Sequence, residues 1–287
     1  MRFEIAYETE YLYPKPIADS VNAVRVKPAV TPAQSLESFA LRVDPDARVH
    51  ERRDYFGTDV LEFGIDEPHD RLTVKASAGV LTIAQPEPPE GQWQSLAEQA
   101  YRRAAGEFLL LEPSSAEFEA QITSLVESIT ERSSPLQAAL AVNSAIPERF
   151  TYQQGATFVG STVSDLLDGG AGVCQDFVHL ALILFRRLGI GARYVSGYLF
   201  ASSKDGEGDS VEVQTHAWLE ALMPNGDGES RWVGFDPTNA KLAGETHVKI
   251  GHGRSYQDVP PLRGVYRGPP ASDLNTNVKM TRINAGA

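Results

Sequence analysis

The sequence predicts an α+β protein: helices packed on an antiparallel sheet, preceded by a β-sandwich-like N-terminal domain. Three observations carry this. Residues 1 to about 85 alternate apolar and polar positions in short runs broken by turn signals. A proline-rich stretch, Gln85-Pro86-Glu87-Pro88-Pro89-Glu90-Gly91, then interrupts the pattern. After it the apolar period lengthens to that of helices, and beyond Gly189 it returns to two.

In the first region, Phe3, Ile5 and Tyr7 alternate with polar neighbours, and Val21 to Val26, Ser38 to Val43, Val60 to Ile65 and Leu72 to Ala76 read as further strands. Turn signals such as Asp44-Pro45-Asp46 and Phe56-Gly57-Thr58-Asp59 separate them. The division is therefore 1–85, a linker at 86–93, and 94–287. Helices are predicted over Ser95 to Arg103, with Ser95-Leu96-Ala97-Glu98 spaced as a capping box, and over Ser115 to Ile129, where Ser114-Ser115 offers the cap. A third runs from Pro135, placed in its first turn, to Ile146. A short helix near Thr162 to Leu167 leads to Gly169. Strands follow over Ala192 to Leu199, Thr215 to Leu222 and Trp232 to Asp236, with a charged loop at Ser202 to Gly208 and a turn at Pro224 to Gly228. The segment Gly251 to Gly268, rich in Gly, Pro and Tyr without a clear period, is expected to wrap the surface.

The 287 residues carry a net charge of −12. Neither a nucleic-acid footprint nor an anionic membrane surface fits that balance, since both need clustered Lys and Arg. A single cysteine cannot form an internal disulfide, and Met1 to Glu10 places acids where a signal peptide needs an unbroken apolar core. The cytoplasm is the expected compartment. No run reaches the ~18 apolar residues of a membrane span. Oligomeric state is not readable.

That single cysteine sits in Gly169-Gly170-Ala171-Gly172-Val173-Cys174-Gln175-Asp176-Phe177. Phe177, Leu180, Ala181, Leu184, Phe185 and Leu188 then mark one face of a helix, with Arg186 and Arg187 in its last turn and Gly189 as its stop. Cys174 thus heads a buried helix, where free N–H groups and the dipole favour a thiolate. If Met223 lies opposite Arg231 in the hairpin around Pro224–Gly228, Trp218 faces Asp236 and His216 is its diagonal neighbour on the same side of the sheet. Thiol, imidazole and carboxylate are the parts nucleophilic acyl transfer needs. A free thiol, with a pKa near ~8.5, is activated by an imidazole that takes its proton, and a carboxylate fixes the imidazole's orientation. The Cys174 amide is the natural oxyanion donor, with Tyr152, Gln153 or Trp218 as candidates for a second donor or substrate contact.

Plainer readings stand beside these. A lone cysteine is also compatible with a small buried hydrophobe, and Asp236 before Pro237 with a turn former. His179 shares the helix of Cys174 but points away from it. His50 and His69 read as surface residues, Asp176 as a complement to the dipole, and His247 and His252 as members of the irregular tail. No HExxH, CxxC, GxGxxG or P-loop spacing occurs, so neither a metal nor a cofactor is expected.

At Gly172-Val173-Cys174-Gln175-Asp176-Phe177, Gly189 to Tyr198, Thr215-His216-Ala217-Trp218-Leu219-Glu220, Trp232 to Asn239 and Gly251 to Val259, the chain resembles the transglutaminase-like superfamily. More narrowly, it is similar to bacterial members with a β-rich N-terminal region. The resemblance implies a papain-like α+β core with Cys174 as nucleophile, His216 as base and Asp236 as orienter. It leaves the reaction open. The expected function is a thiol enzyme cleaving an amide, peptide or isopeptide bond through an acyl-enzyme thioester. The alternatives are an acyltransferase joining glutamine carboxamides to amines, and a non-enzymatic binding or assembly module.

Overall fold

The computed structural model describes residues 1–111, 115–128, 134–158, 160–201, 210–213, 215–226 and 228–283. The expected loop at Ser202 to Gly208, and Ser114 and Ile129 of the second predicted helix, lie outside them. In chain order the first strands are β1 (Arg2–Val24), β2 (Gln34–Asp44), β3 (His50–Arg53), β4 (Asp59–Ile65) and β5 (His69–Thr82). Three helices follow: α1 (Gln99–Ala105), α2 (Ala116–Glu127) and α3 (Pro135–Arg149). Then come β6 (Thr151–Tyr152), α4 (Val163–Gly169), β7 (Ala171–Gly172) and α5 (Cys174–Arg187). The chain continues with β8 (Ala192–Leu199), β9 (Ser210–Val213), β10 (Thr215–Pro224), β11 (Ser230–Asp236), β12 (Lys241–Leu242), β13 (His247–Gly253), β14 (Leu262–Arg267) and β15 (Asp273–Ile283).

β1 organises the N-terminal half. Its first part, 2–12, pairs antiparallel with β5 and β15, and its second part, 18–24, pairs with β4 and β14. Between them Pro14 and Pro16 have no N–H to give a ladder, and the β5 register shifts between Leu12 and Ile17. Asp19 takes φ 50°, a left-handed conformation Asp tolerates. One strand thus changes layers, and the antiparallel sheet curls over its own interior, where Phe3, Ile5, Val74, Val80, Val278 and Met280 are buried.

The second sheet has the order β12-β11-β10-β8-β13. Helices cover one face, with Phe177, Leu180, Leu184, Phe185, Leu219 and Phe235 in one core. Tyr198, Phe200, Val248 and Ile250 on β8 and β13 or just beyond them belong to the other core, with the curled sheet. The facing pairs Met223↔Arg231 and Leu219↔Phe235 confirm the register assumed from sequence.

Several expectations are corrected. Ser95 does not cap a helix: Glu98 is extended (φ −64°, ψ 142°), and a short 3₁₀ turn over Trp93–Ala97 precedes α1. Ser115 does cap α2, accepting the Phe118 N–H at 3.2 Å. α3 continues to Arg149 through Pro147. His69 is buried, not exposed, with Nδ1 2.9 Å from Glu67 O. The C-terminal stretch is strand rather than irregular wrap: β13 runs to Gly253, and β14 and β15 join the N-terminal sheet. Its glycines hid the period because packing requires them. A Cβ on Gly251 would stand 2.4 Å from Thr58 Cγ2.

Where the two sheets meet, a nearly buried ionic cluster joins β8, β10 and β13. Glu220 Oε2 accepts from Arg193 Nε at 2.7 Å and from Lys249 Nζ at 2.6 Å. The Arg193 guanidinium lies 4.0 Å from the Trp232 ring centroid. Burial pushes Glu220 up, but the neighbouring Lys249 and Arg193 charges outweigh it and hold its pKa at about 2. For Lys249, burial dominates and lowers the pKa to about 8.

Candidate active site

Cys174 opens α5 and is half-buried. Asp176 ties the start of this helix to its surroundings. Its Oδ2 accepts the Val173 N–H at 2.8 Å and the Thr157 hydroxyl at 2.6 Å. The carboxylate therefore does more than complement the dipole; it anchors the loop after β6 against α5. Parallel pairing of Tyr152 with Gly172 completes the attachment. The glycines before Cys174 serve this local architecture. Gly170, at φ 69°, ends α4 with its N–H on Leu166 O at 2.9 Å. A Cβ on Gly172 would crowd Asp176 Oδ2 at 2.8 Å.

His216 projects from β10, directly across from Gly197 of β8. Its Nε2 is 3.0 Å from Asp236 Oδ2. Asp236 ends β11 before Pro237, and its turn supplies it with donors. The Thr238 and Asn239 N–H groups reach Oδ1 at 3.1 and 3.2 Å, and Asn239 Nδ2 reaches Oδ2 at 2.7 Å. The expected turn role and the expected orienting position are thus the same geometry. Asp236 is 0% exposed. Burial raises its pKa, but hydrogen bonds from His216 and His247, with the His216 charge and Asn239, hold it well below the usual carboxylate range. For His216, burial lowers the pKa, whereas contacts with Asp236 and then Cys174 raise it, leaving it at about 9.

These shifts set a pH window for stability. Asp236, depressed when folded, stabilises the native state above its unfolded pKa of about 3.9, and that contribution is lost as pH falls below it. His216, raised when folded, contributes fully below about 6.5, and its contribution is lost as pH rises through about 9. The difference in urea midpoint between the wild type and Asp236→Asn, measured from pH 3 to 10, is expected to be largest between about 4 and 6.5 and to shrink on both sides.

His247 was not singled out by the sequence. Its Nε2 lies 3.1 Å from the same Asp236 Oδ2. The Gly244 N–H reaches its Nδ1 at 3.2 Å, so Nδ1 accepts and Nε2 carries the proton given to Asp236. Burial lowers the pKa of His247, Asp236 opposes this, and the His216 charge adds to the lowering. Asp236 thus holds one cationic and one neutral imidazole. The alternation His247-Val248-Lys249-Ile250 is the signal that places His247 on a strand. Nε2 of each histidine and the Asp236 carboxylate fall within 4.8 Å of one another, which makes them the described residues able to hold a metal ion.

A cleft of about 370 Å³ opens over Cys174 and His216. Tyr152, Gln154, Tyr194, Ser196, Thr215 and Tyr256 line it, and among the described lining residues there is no Asp, Glu, Lys or Arg. Of the candidate contacts, Tyr152 reaches the cleft. Gln153 does not: its side chain is exposed elsewhere, and its N–H is held by Gly172 O at 2.9 Å. Trp218 is 2% exposed and packs behind the site, stacked on His216 with ring centroids 6.2 Å apart. It supports the imidazole rather than the cleft wall. His179, on the helix of Cys174, accepts the Tyr256 N–H at Nε2 at 3.3 Å and packs against Tyr194, both of which line the cleft. Burial holds its pKa near about 4. His252 lies in the ionic cluster, with Nε2 3.1 Å from Arg193 Nη1.

Residues 3–81 match the bacterial transglutaminase-like N-terminal region, and residues 123–237 match the transglutaminase-like superfamily. An uncharacterized protein of Mycobacterium leprae is 33% identical over 284 residues, spanning 98% of this chain and 99% of its own. An uncharacterized protein of Mycobacterium tuberculosis is 31% identical over 299 residues, spanning 100% of this chain and 94% of its own. The crystal structure of a candidate cysteine protease from Cytophaga hutchinsonii shares the fold. It has a TM-score of 0.74 at 23% identity and covers 97% of this chain and 90% of that one. With both matched regions in order and full-length relatives above 30% identity, the chain belongs to the transglutaminase-like superfamily, in its bacterial form with a β-rich N-terminal region.

Proposed function

We propose that the protein is a thiol-dependent acyl-transfer enzyme that hydrolyses an amide, peptide or isopeptide bond, with Cys174, His216 and Asp236 as its triad. The observation that supports this most is the chain of contacts from the Cys174 thiol through His216 to a fully buried Asp236. With Nε2 held by Asp236, Nδ1 is the nitrogen left to exchange a proton with Sγ. The thiolate attacks the substrate carbonyl; a C–S bond forms and the π pair moves to oxygen. The oxyanion is met by the Cys174 amide and the Tyr152 side chain. Collapse expels the amine, which takes its proton from His216. Water then adds to the thioester and gives a proton back to His216, releasing the acid and the thiolate. Beyond the Cys174–His216 pair, the described cleft lining carries no Asp, Glu, Lys or Arg, which suits a neutral peptide or amide. No described helix is long and apolar enough to cross a membrane, and the single cysteine suits a reducing, cytoplasmic setting.

The test uses the one thiol. Brief iodoacetamide treatment at pH 6.5, read by intact mass, is expected to label the wild type at least about tenfold faster than His216→Ala. Equal rates would sink the activated-thiol reading and leave a binding module. Ammonia release from a glutamine peptide without incorporation of an added amine supports hydrolysis. Incorporation of the amine instead assigns the acyltransferase alternative.

A further inference from the structure

Two hydroxyls that the mechanism does not use line the cleft. Tyr194 and Ser196 are two apart on β8, where pleating sends both side chains to one face. Both line the cleft beside Cys174, at 2% and 6% exposure. Neither hydroxyl is hydrogen-bonded by any described residue. Neither is among the described buried atoms that lack a partner, so both hydroxyls open onto the cleft.

Other polar groups around the cleft floor are committed elsewhere. Asp176 Oδ2 is held by Val173 and Thr157, His179 Nε2 by the Tyr256 N–H, and Asp236 by five donors. The Tyr194 ring is also fixed in place. It packs against His179, with centroids 5.3 Å apart, and against Tyr256, at 6.2 Å. Burial, reinforced by the neighbouring Cys174 and Tyr256, raises its pKa well above that of a free phenol. The hydroxyl therefore keeps its proton across the working pH range and acts as a donor. A donor held in place in the cleft next to a nucleophile is suited to a carbonyl oxygen.

We propose that the Tyr194 hydroxyl donates a hydrogen bond to a carbonyl oxygen of the bound acyl substrate, with Ser196 Oγ as a second polar contact beside it. The assignment rests on the acyl-transfer reading above. Tyr194 gives up no proton in the step; it holds the substrate while Sγ forms the C–S bond.

The test compares two reagents on Tyr194→Phe, Ser196→Ala and the wild type. One is an N-acetyl dipeptide p-nitrophenyl ester with neutral side chains, which acylates Cys174 through a carbonyl. The other is methyl methanethiosulfonate, which modifies the same sulfur without one. Tyr194→Phe is expected to slow acylation about 10- to 100-fold, with Tm unchanged and thiosulfonate labelling within about twofold of wild type. Ser196→Ala is expected to show a smaller loss confined to the same assay. Wild-type acylation rates in both variants would overturn the inference. So would equal slowing of both reagents, which assigns an effect on the thiol, or a lower Tm in Tyr194→Phe, which assigns an internal partner to the hydroxyl. A wild type labelled by the thiosulfonate but never acylated would overturn the acyl-transfer reading itself, and this inference with it.

Discussion

Asp236→Asn is expected to lower the acyl-transfer rate about 10⁴-fold, the scale seen when an orienting carboxylate is made an amide in a serine triad. It should also destabilise the fold by roughly 3 kcal/mol. The reason lies in the donor count. Oδ2 accepts from His216, His247 and Asn239, and Oδ1 from two backbone amides. An asparagine presents one acceptor and one NH₂ group, so whichever way it turns, donors face donors. Without the charge, the raised pKa of His216 also collapses, and the cation beside the thiol is lost at neutral pH. Peptide-amide turnover with urea melts at pH 6 checks both effects. Loss of activity with unchanged stability would mean that the five hydrogen bonds do not hold the turn. Unchanged activity would remove Asp236 from the mechanism.

Glu220→Ala is expected to cost about 3–5 kcal/mol of stability, because it leaves two nearly buried cations without their anion. Arg193 and Lys249 side chains are 15% and 11% exposed, so water replaces the carboxylate poorly. Without Glu220, which raises its pKa, Lys249 can escape by releasing its proton, and the loss should therefore shrink as pH rises toward about 8. Adding Lys249→Met to the variant is expected to restore part of the stability through the non-additivity of contacting residues. Urea melts of the single and double variants at pH 6.5 and 9 measure this. A pH-independent loss would show that packing of the Glu220 stem, rather than its charge, is what matters.

Much of the site was legible because its residues obey short-range rules. The glycine stop, the 3.6-residue period after Cys174 and the two-residue period around His216 placed thiol and imidazole on known elements. A hairpin register then brought Asp236 to His216, and the pairing of Met223 with Arg231 bears that register out. What escaped notice depends on contacts distant in sequence. His247 belongs to β13, which joins the sheet beside β8, away from its chain neighbours β11 and β12. No local pattern carries that crossover. Ser95 illustrates the opposite failure. Its cap spacing was correct locally, yet the chain there turns extended at Glu98. The tail was misread because Gly251 and Gly253 mark close packing against Thr58 and Asp258 rather than turns.

The pairing of β15 with β1 constrains how the protein can be made. Arg2 lies opposite Ile283, and Thr9 Oγ1 bonds the Asn275 carbonyl across 266 positions of sequence. While the ribosome is still adding the helical region, β1 has β5 on one edge and an open edge on the other. Such edges invite pairing with other chains, and closing so long a loop is slow. The curled sheet thus acts as a latch that shuts only when β15 has left the exit tunnel. Until then, the strands synthesised before the helical region must wait for one synthesised after it.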